Sequence, residues 1–438
     1  MKRKFMPHSL WPVLILAAAF VLVPAEAGNV RAVPPADSRD LVLFTAGGLE
    51  RLGGFETESA VRWRAVQINP ALGQSDGVHL GDRLWVTPFV DRTYVAVVDR
   101  VERDINGVLA VRGRVDGWDY ATILLSSRGE QTLGTLSLPE LGLEFEIRPA
   151  TRAQGHMVLE VNSRNRDVLE EAPALEPPVT ESERWPRLQS PEASSAPSVE
   201  TRLDIMVVYT PAARDWAASR GGIDLIISQD IQKDILSLQN SGLDITARLV
   251  HSALINYQES GDSGNDLTRL QDTDEGFMDE VHQWRNSYSA DLVQLMALVN
   301  DVGGIGYLMN RTSGNPTYAF SLVRVQQSGW TYTSIHELGH NLGCGHRKDQ
   351  AVQPGPGLFS YSAGWRWIGN DGNRYCSIMS YEDDWDGNRV TRVPYFSSPL
   401  IYYLGAAVGD AINADNTRTI KQTGPIAGAY RKRQTPRR

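Results

Sequence analysis

Cysteine is nearly absent: the 438 residues contain two. They can make one intrachain bridge at most, which excludes a disulfide-built scaffold and a multi-cysteine zinc ribbon. Histidine is scarce too, with eight in the chain. Positive charge is in deficit, since 43 Lys and Arg face 52 Asp and Glu for a net charge of −9. That balance argues against a nucleic-acid partner. No internal repeat occurs, and 42% hydrophobic with 22% charged residues excludes wholesale disorder and collagen-like sequence. Past residue 23 no apolar run is long enough to cross a bilayer, so no membrane span is expected. What the chain does have is length enough for two or three domains, each with its own core.

Lys2, Arg3 and Lys4 precede an uncharged apolar run from Leu10 to Val23, and Ala25-Glu26-Ala27 follows as a small-x-small site. The run falls short of the ~18–20 residues of a spanning helix. Residues 1–27 therefore read as an export signal, which places the remainder in an extracellular or periplasmic, oxidising compartment. At the other end residues 431–438 form a basic tail that reads as frayed.

Residues 28–163 are β-like. Candidate strands are Leu84–Val86, Tyr94–Val98, Val108–Val111 and Leu143–Ile147, with Asn106-Gly107 and Asp116-Gly117 as hairpin turns. Residues 164–200 mix Pro173, Pro177, Pro178, Pro186, Pro191 and Pro197 with Glu and Ser, as in an extended, poorly ordered linker. Arg184, Arg187 and Arg202 make that linker a candidate site of proteolytic cleavage. Residues 201–430 alternate strands and helices. Leu203–Thr210 is a buried-strand run, and Ile223, Ile226, Ile227, Ile231, Ile235 and Leu238 keep helical spacing. Further strands are expected at 245–255, 292–299 and 319–325, with a helix over 277–288. The expected class is α+β, a β-rich N-terminal domain followed by an α/β domain.

The chemistry-bearing stretch is Thr333-Ser334-Ile335-His336-Glu337-Leu338-Gly339-His340-Asn341-Leu342-Gly343-Cys344-Gly345-His346. Histidines at i and i+4 share one helix face, so two imidazoles can reach one ion. Glu337 sits beside the first, placed to reach a water on that ion. Gly343 can take the positive φ that ends a helix, letting the chain turn back and deliver His346. Three of eight histidines thus fall into one set. Three protein ligands plus a water is the open arrangement of a catalytic zinc. A lone HExxH arises by chance on surface helices; the added glycine and third histidine make the signal specific.

This pattern resembles that of the metzincin zinc endopeptidases, whose HExxHxxGxxH is followed by a methionine turn. Cys376-Ser377-Ile378-Met379-Ser380-Tyr381 matches the turn. Within that group the likeness is to bacterial reprolysin-like and peptidyl-Asp metalloendopeptidases. It is carried by Asp204–Pro211, Gly304–Met309, Tyr395–Pro399 and Asp415–Ile420, and it covers residues ~203–430. The resemblance implies a mixed twisted sheet, an active-site helix and a Met-turn, with Met379 as an apolar floor beneath His336, His340 and His346. It implies one catalytic Zn²⁺, Glu337 as general base, and substrate lying antiparallel along Gly304, Ile305, Gly306 and Tyr307. The β-rich segment is similar to the propeptides of such enzymes. The function implied is a secreted endopeptidase made as a proenzyme and acting as a monomer on proteins or peptides.

Two features depart from the reprolysin pattern. Arg347 follows His346 where an acidic residue is usual, with Asp349 two further on. Tyr381 stands two residues after Met379, as in astacin-like and serralysin-like enzymes. It reads either as a group near the metal that donates to the tetrahedral intermediate or as a buried hydrogen-bonded tyrosine. An astacin- or serralysin-type peptidase and a non-catalytic adhesion protein on this scaffold are the alternative readings. Degenerate scaffolds of the latter kind usually lose the glutamate or a ligand histidine, and here all four are present.

Cys344 and Cys376 flank the histidine set, and export favours a disulfide between them over two thiols or a thiolate on zinc. No cysteine in residues 28–200 can block a metal, so latency falls to a carboxylate, His79 or His156. Asp383–Asn388 is rich in oxygen ligands for Ca²⁺, although a solvated turn fits it better. Arg347, Arg366 and Arg374 are candidates for a positive subsite if substrates are acidic.

Overall fold

A computed structural model describes residues 38–52, 59–74, 76–150, 155–178, 201–382 and 390–431. The expected export signal, residues 179–200 of the linker, Asp383–Asn388 and the tail beyond Arg431 lie outside the described residues.

The N-terminal unit is a closed antiparallel meander. Strands Arg83–Phe89, Arg92–Arg103, Leu109–Val115, Thr122–Arg128, Gln131–Leu138, Leu143–Pro149 and His156–Val161 pair in order, and the last pairs with Ala60–Ile68. One stretch of chain joins the two ends of this sheet. Asp40–Val42 runs parallel to Arg83–Phe89, and one residue later Phe44–Gly47 pairs antiparallel with Ala60–Ile68. Leu43, between the two, turns fully inward with Phe89, Ile123, Leu136 and Phe145. Closing the sheet removes edges that would otherwise invite pairing with other chains. The Asn106-Gly107 and Asp116-Gly117 turns are present, with Gly107 and Gly117 at φ 76° and 85°. Thr122–Arg128 and Gln131–Leu138 were not among the expected strands. Their Ser and Thr residues hide the alternation, because the face they cover is polar.

The second unit has a five-stranded sheet in the order Ile245–Leu254, Thr201–Tyr209, Leu292–Ala297, Phe320–Arg324, Gly304–Gly306. The first four strands are parallel to one another and the short last one is antiparallel. All six residues of Leu292–Ala297 are buried, as a parallel strand covered on both faces requires. Ile205 and Val207 join one core with helices Ile223–Asn240 and Thr333–Asn341. Met206 and Val208 point the other way, toward helices Ser263–Gln271 and Asp279–Ser287. The expected helix over 277–288 and strands near 245, 292 and 319 correspond to observed elements.

The linker reading is corrected for residues 166–178. They are extended but packed, with Glu171 and Ala174 buried. Between Glu170 and Leu175 their backbone groups pair with the second unit, at Gly303, Gly304, Gly306 and Leu308.

Candidate metal centre

The helix Thr333–Asn341 is buried along its whole length. It ends in a Schellman arrangement: the Gly343 N–H donates to the His340 carbonyl and the Cys344 N–H to the Gly339 carbonyl, both at 2.9 Å. Gly343 supplies the φ of +85° which that ending needs. The turn returns His346 to the face that carries His336 and His340. The three Nε2 atoms converge, with His346 Nε2 3.1 Å from His336 Nε2 and 3.0 Å from His340 Nε2.

Each outer nitrogen faces a backbone carbonyl. His336 Nδ1 lies 2.7 Å from Ile378 O, His340 Nδ1 3.0 Å from Cys344 O, and His346 Nδ1 3.2 Å from Gln353 O. A carbonyl only accepts, so the protons sit on Nδ1 and the Nε2 lone pairs face one another. Burial pushes His336 down to about 4. Burial, and then the neighbouring His336, takes His340 to about 3. His346 also falls well below its usual value through burial. Three neutral imidazoles with converging lone pairs form a donor set for one metal ion. The surrounding groups fit such an ion: both Glu337 carboxylate oxygens and Tyr381 Oη are buried without a hydrogen-bond partner. The Tyr381 ring centroid lies 4.7 Å from that of His346.

Beneath the helix, a Cβ on Gly339 would lie 2.5 Å from Met379 Sδ, so this glycine lets the methionine approach the histidine face. At the opposite wall a Cβ on Gly304 would lie 2.6 Å from Glu337 Oε1, and one on Gly306 3.0 Å from Oε2. The strand of Gly304, Ile305 and Gly306, leading into Tyr307, thus lies directly against the Glu337 carboxylate.

The outer edge of that strand is occupied by the connecting segment. Ala172 N donates to Gly304 O at 2.7 Å, Leu175 N to Gly306 O at 2.9 Å and Leu308 N to Leu175 O at 2.9 Å. The pairing of Leu175 with Tyr307 is parallel. Gln353 clamps the segment, its side chain exchanging hydrogen bonds with the Ala174 backbone at 2.7 and 2.9 Å, while its own carbonyl orients His346. Between these contacts Glu171 is buried against Arg392, with Nη1–Oε1 2.6 Å and Nη2–Oε2 2.8 Å, and accepts from Thr333 Oγ1 at 3.0 Å. Burial opposes the Glu171 charge, but the guanidinium prevails and holds its carboxyl well below the usual range. Burial, and then the Glu171 charge, raises Glu337 well above the ordinary range.

Other expectations are revised. Cys344 and Cys376 are separate buried thiols, not a disulfide. Cys344 Sγ faces the Asn416 carbonyl and Cys376 Sγ the Ser380 carbonyl, and burial pushes both thiols up. His156 is buried inside the first unit, where Nε2 accepts from Thr132 N, and His79 contacts Arg39; neither is at the centre. The carboxylate in the cleft is Glu171. Arg347 and Arg366 both engage Asp349. Sequence reasoning missed Arg392, Glu171 and Gln353, none of which has a spacing signal toward the histidines.

Residues 202–397 match the Reprolysin_5 family model, described as Metallo-peptidase family M12. A peptidyl-Asp metalloendopeptidase of Stenotrophomonas maltophilia (strain R551-3) is 28% identical over 310 residues, covering 71% of this chain and 70% of the relative. One from Xanthomonas campestris pv. campestris is 27% identical over 308 residues, covering 70% and 69%. The solved structure of metalloproteinase-II from Bacteroides fragilis aligns at 10% identity and TM-score 0.38, covering 72% of this chain and 91% of that one. Among the described residues no helix is long and apolar enough to cross a membrane.

Proposed function

Starting from a chain that is a reprolysin-like metalloendopeptidase, we propose a zinc-dependent enzyme, exported as a proenzyme, that hydrolyses peptide bonds next to acidic residues. The observation that carries this reading is the convergence of three Nε2 atoms, each with its Nδ1 pinned by a carbonyl, one residue from a buried, unpartnered carboxylate.

His336, His340 and His346 would hold the ion. When bound there, zinc would polarise the scissile carbonyl and lower the pKa of a bound water toward ~7. Glu337 takes the proton of the attacking water and returns it to the leaving amine. Gly304 and Gly306, lacking side chains, let an extended substrate backbone lie within reach of that carboxylate. Tyr381 Oη, buried without a partner, is the donor that would meet the developing oxyanion.

The basic-apolar-small start of the chain supports export. Latency is supported by the connecting segment, which fills the edge where substrate would pair and runs parallel to it. A chain lying in reverse presents no correctly directed bond to Glu337. The acidic preference comes from the activity of the relatives, which cleave at peptidyl-Asp bonds by name.

The test is casein cleavage by the full chain with and without a chelator, beside Glu337→Gln. The variant should retain its bound metal by elemental analysis and lose roughly 10²–10⁴-fold in rate, the usual worth of a general base. Cleavage by Glu337→Gln at the parent rate removes the mechanism.

A further inference from the structure

Arg392 is a cation with little access to water: 8% of its surface is exposed. It lies on the short strand Thr391–Arg392, paired with Arg374–Cys376 just before the methionine turn, so its backbone is fixed. Its Nε donates to the Ser380 carbonyl at 3.1 Å, which aims the two terminal nitrogens at the cleft. There they meet one carboxylate in fork-to-fork geometry, that of Glu171, which also takes the Thr333 hydroxyl. Glu171, Glu382 and Glu170 act most strongly on Arg392, and Glu337 feels its charge as well. Glu170 and Glu171 both arrive on the connecting segment; Glu382 accepts the Arg392 backbone N–H at 3.0 Å.

Position matters as much as charge. Thr333 lies one helical turn before Glu337, and a Cβ on Gly304 would touch both Thr333 Cγ2 at 2.8 Å and Glu337 Oε1 at 2.6 Å. The Glu171 carboxylate therefore occupies a pocket next to the general base, reached from the line along which a substrate backbone would run. When the segment leaves, Arg392 Nη1 and Nη2 and Thr333 Oγ1 lose their acceptor together. Glu382 and Glu337 stay near the guanidinium, but its fork loses the Glu171 carboxylate, and a side-chain carboxylate brought by a substrate restores the same three hydrogen bonds.

We propose that Arg392 and Thr333 form the subsite that reads an acidic side chain of the substrate beside the scissile bond, and that Glu171 fills it in the latent chain. This rests on the peptidase reading above and assigns the acidic preference to Arg392, not to Arg347, Arg366 or Arg374. Glu171 acts as a built-in substitute for the substrate's acid, so one pocket serves both latency and specificity.

The experiment uses the full-length chain, assayed once cleavage has become steady, on quenched peptides that differ at one residue, Asp against Asn. The wild type should favour Asp by about 10²-fold or more in kcat/KM, since a site built to bind a group rejects the isostere that lacks it. Arg392→Gln should bring the ratio to within about threefold of unity, and Arg392→Lys, which keeps charge but not the fork, should fall between. Because Arg392→Gln strands Glu171 in the latent fold, the double variant Arg392→Gln/Glu171→Gln, with both partners neutral, is read beside it. Glu171→Gln alone should shorten the lag before activity and keep the wild-type ratio. An unchanged Asp/Asn ratio in both Arg392 variants and the double variant overturns the subsite. An unchanged lag in Glu171→Gln overturns the filling by Glu171. A metal-loaded chain that cleaves neither peptide nor casein overturns the peptidase reading itself, and the subsite with it.

Discussion

His156 sits inside the first unit, and its Nε2 accepts the Thr132 N–H at 2.9 Å, a bond that exists only while the imidazole is neutral. Burial lowers its pKa to about 4. The folded value lies below the ~6.5 of an unfolded chain, so the unfolded state takes the proton first. The contribution is whole above pH ~6.5, is lost as pH falls toward 4, and levels off below that. At ~1.36 kcal/mol per unit, lowering pH from 8 to 5 removes about 2 kcal/mol. Thermal melts of wild type and His156→Gln at both pH values check this. The Gln oxygen can accept from Thr132 without titrating, so the variant should lose less stability in acid by about that amount. Equal losses in the two proteins would assign the acid sensitivity elsewhere. The three histidines of the metal centre are driven neutral by the same burial, against the carbonyls at their Nδ1 atoms, which favour the proton.

The strand Gly304–Gly306 shows what an element gains from lacking side chains. Each glycine lies where a Cβ would crowd the Glu337 carboxylate, at 2.6 Å from Oε1 for Gly304 and 3.0 Å from Oε2 for Gly306. Gly304→Ala must therefore push Glu337 aside while leaving the three imidazoles untouched. The expected result is unchanged metal content and cleavage lowered roughly 10²-fold, the scale of an ångström of misplacement at a reacting group. Parent activity in Gly304→Ala would mean the carboxylate does not work from this position. The helix and its Schellman ending were legible because both are local: the i, i+4 spacing and Gly343 specify them within fourteen residues of sequence, 333–346. The opposing wall was not. Arg392, Gln353 and Glu171 meet the histidine set only through chain topology, and no local period encodes a contact such as Glu171 with Arg392. The expected Cys344–Cys376 bridge failed for the same reason, since nearness to one site in sequence does not aim two thiols at each other.

At the scale of the whole molecule the β-rich unit and the helix Ile223–Asn240 explain each other. That helix carries isoleucines toward the sheet and a second face with Gln229 and Gln232, and both faces are largely buried. The isoleucine stripe was readable as a period; the partner of the polar face was not. It is the strand Thr122–Arg128, which has the polar residues Ser126 and Ser127 and was missed for that reason. Ser126 Oγ donates to Gln229 Oε1 at 3.0 Å, while Gln232 Nε2 donates to Ser126 Oγ at 2.8 Å and to the Leu125 carbonyl at 2.9 Å. Asn106 and Ser252 add a further pair at 2.9 Å. Val108 and Leu133 add an apolar contact by entering the core of the second unit, but the polar pairs suit two parts that separate, because water can satisfy each of them afterwards. Ser126→Ala tests this. In the docked chain it leaves Gln229 Oε1 without its donor; in the separated state the glutamine is hydrated and nothing is lost. Docking should weaken by about 1–3 kcal/mol, roughly 5- to 150-fold in the holding equilibrium. The lag before casein cleavage should shorten at least severalfold, with the Asp/Asn ratio unchanged because Arg392 and Thr333 are distant from the substitution in the chain and make no bond to it. A lag equal to the parent's would mean that release of the β-rich unit does not limit activation, and would leave the Glu171 segment as the sole restraint.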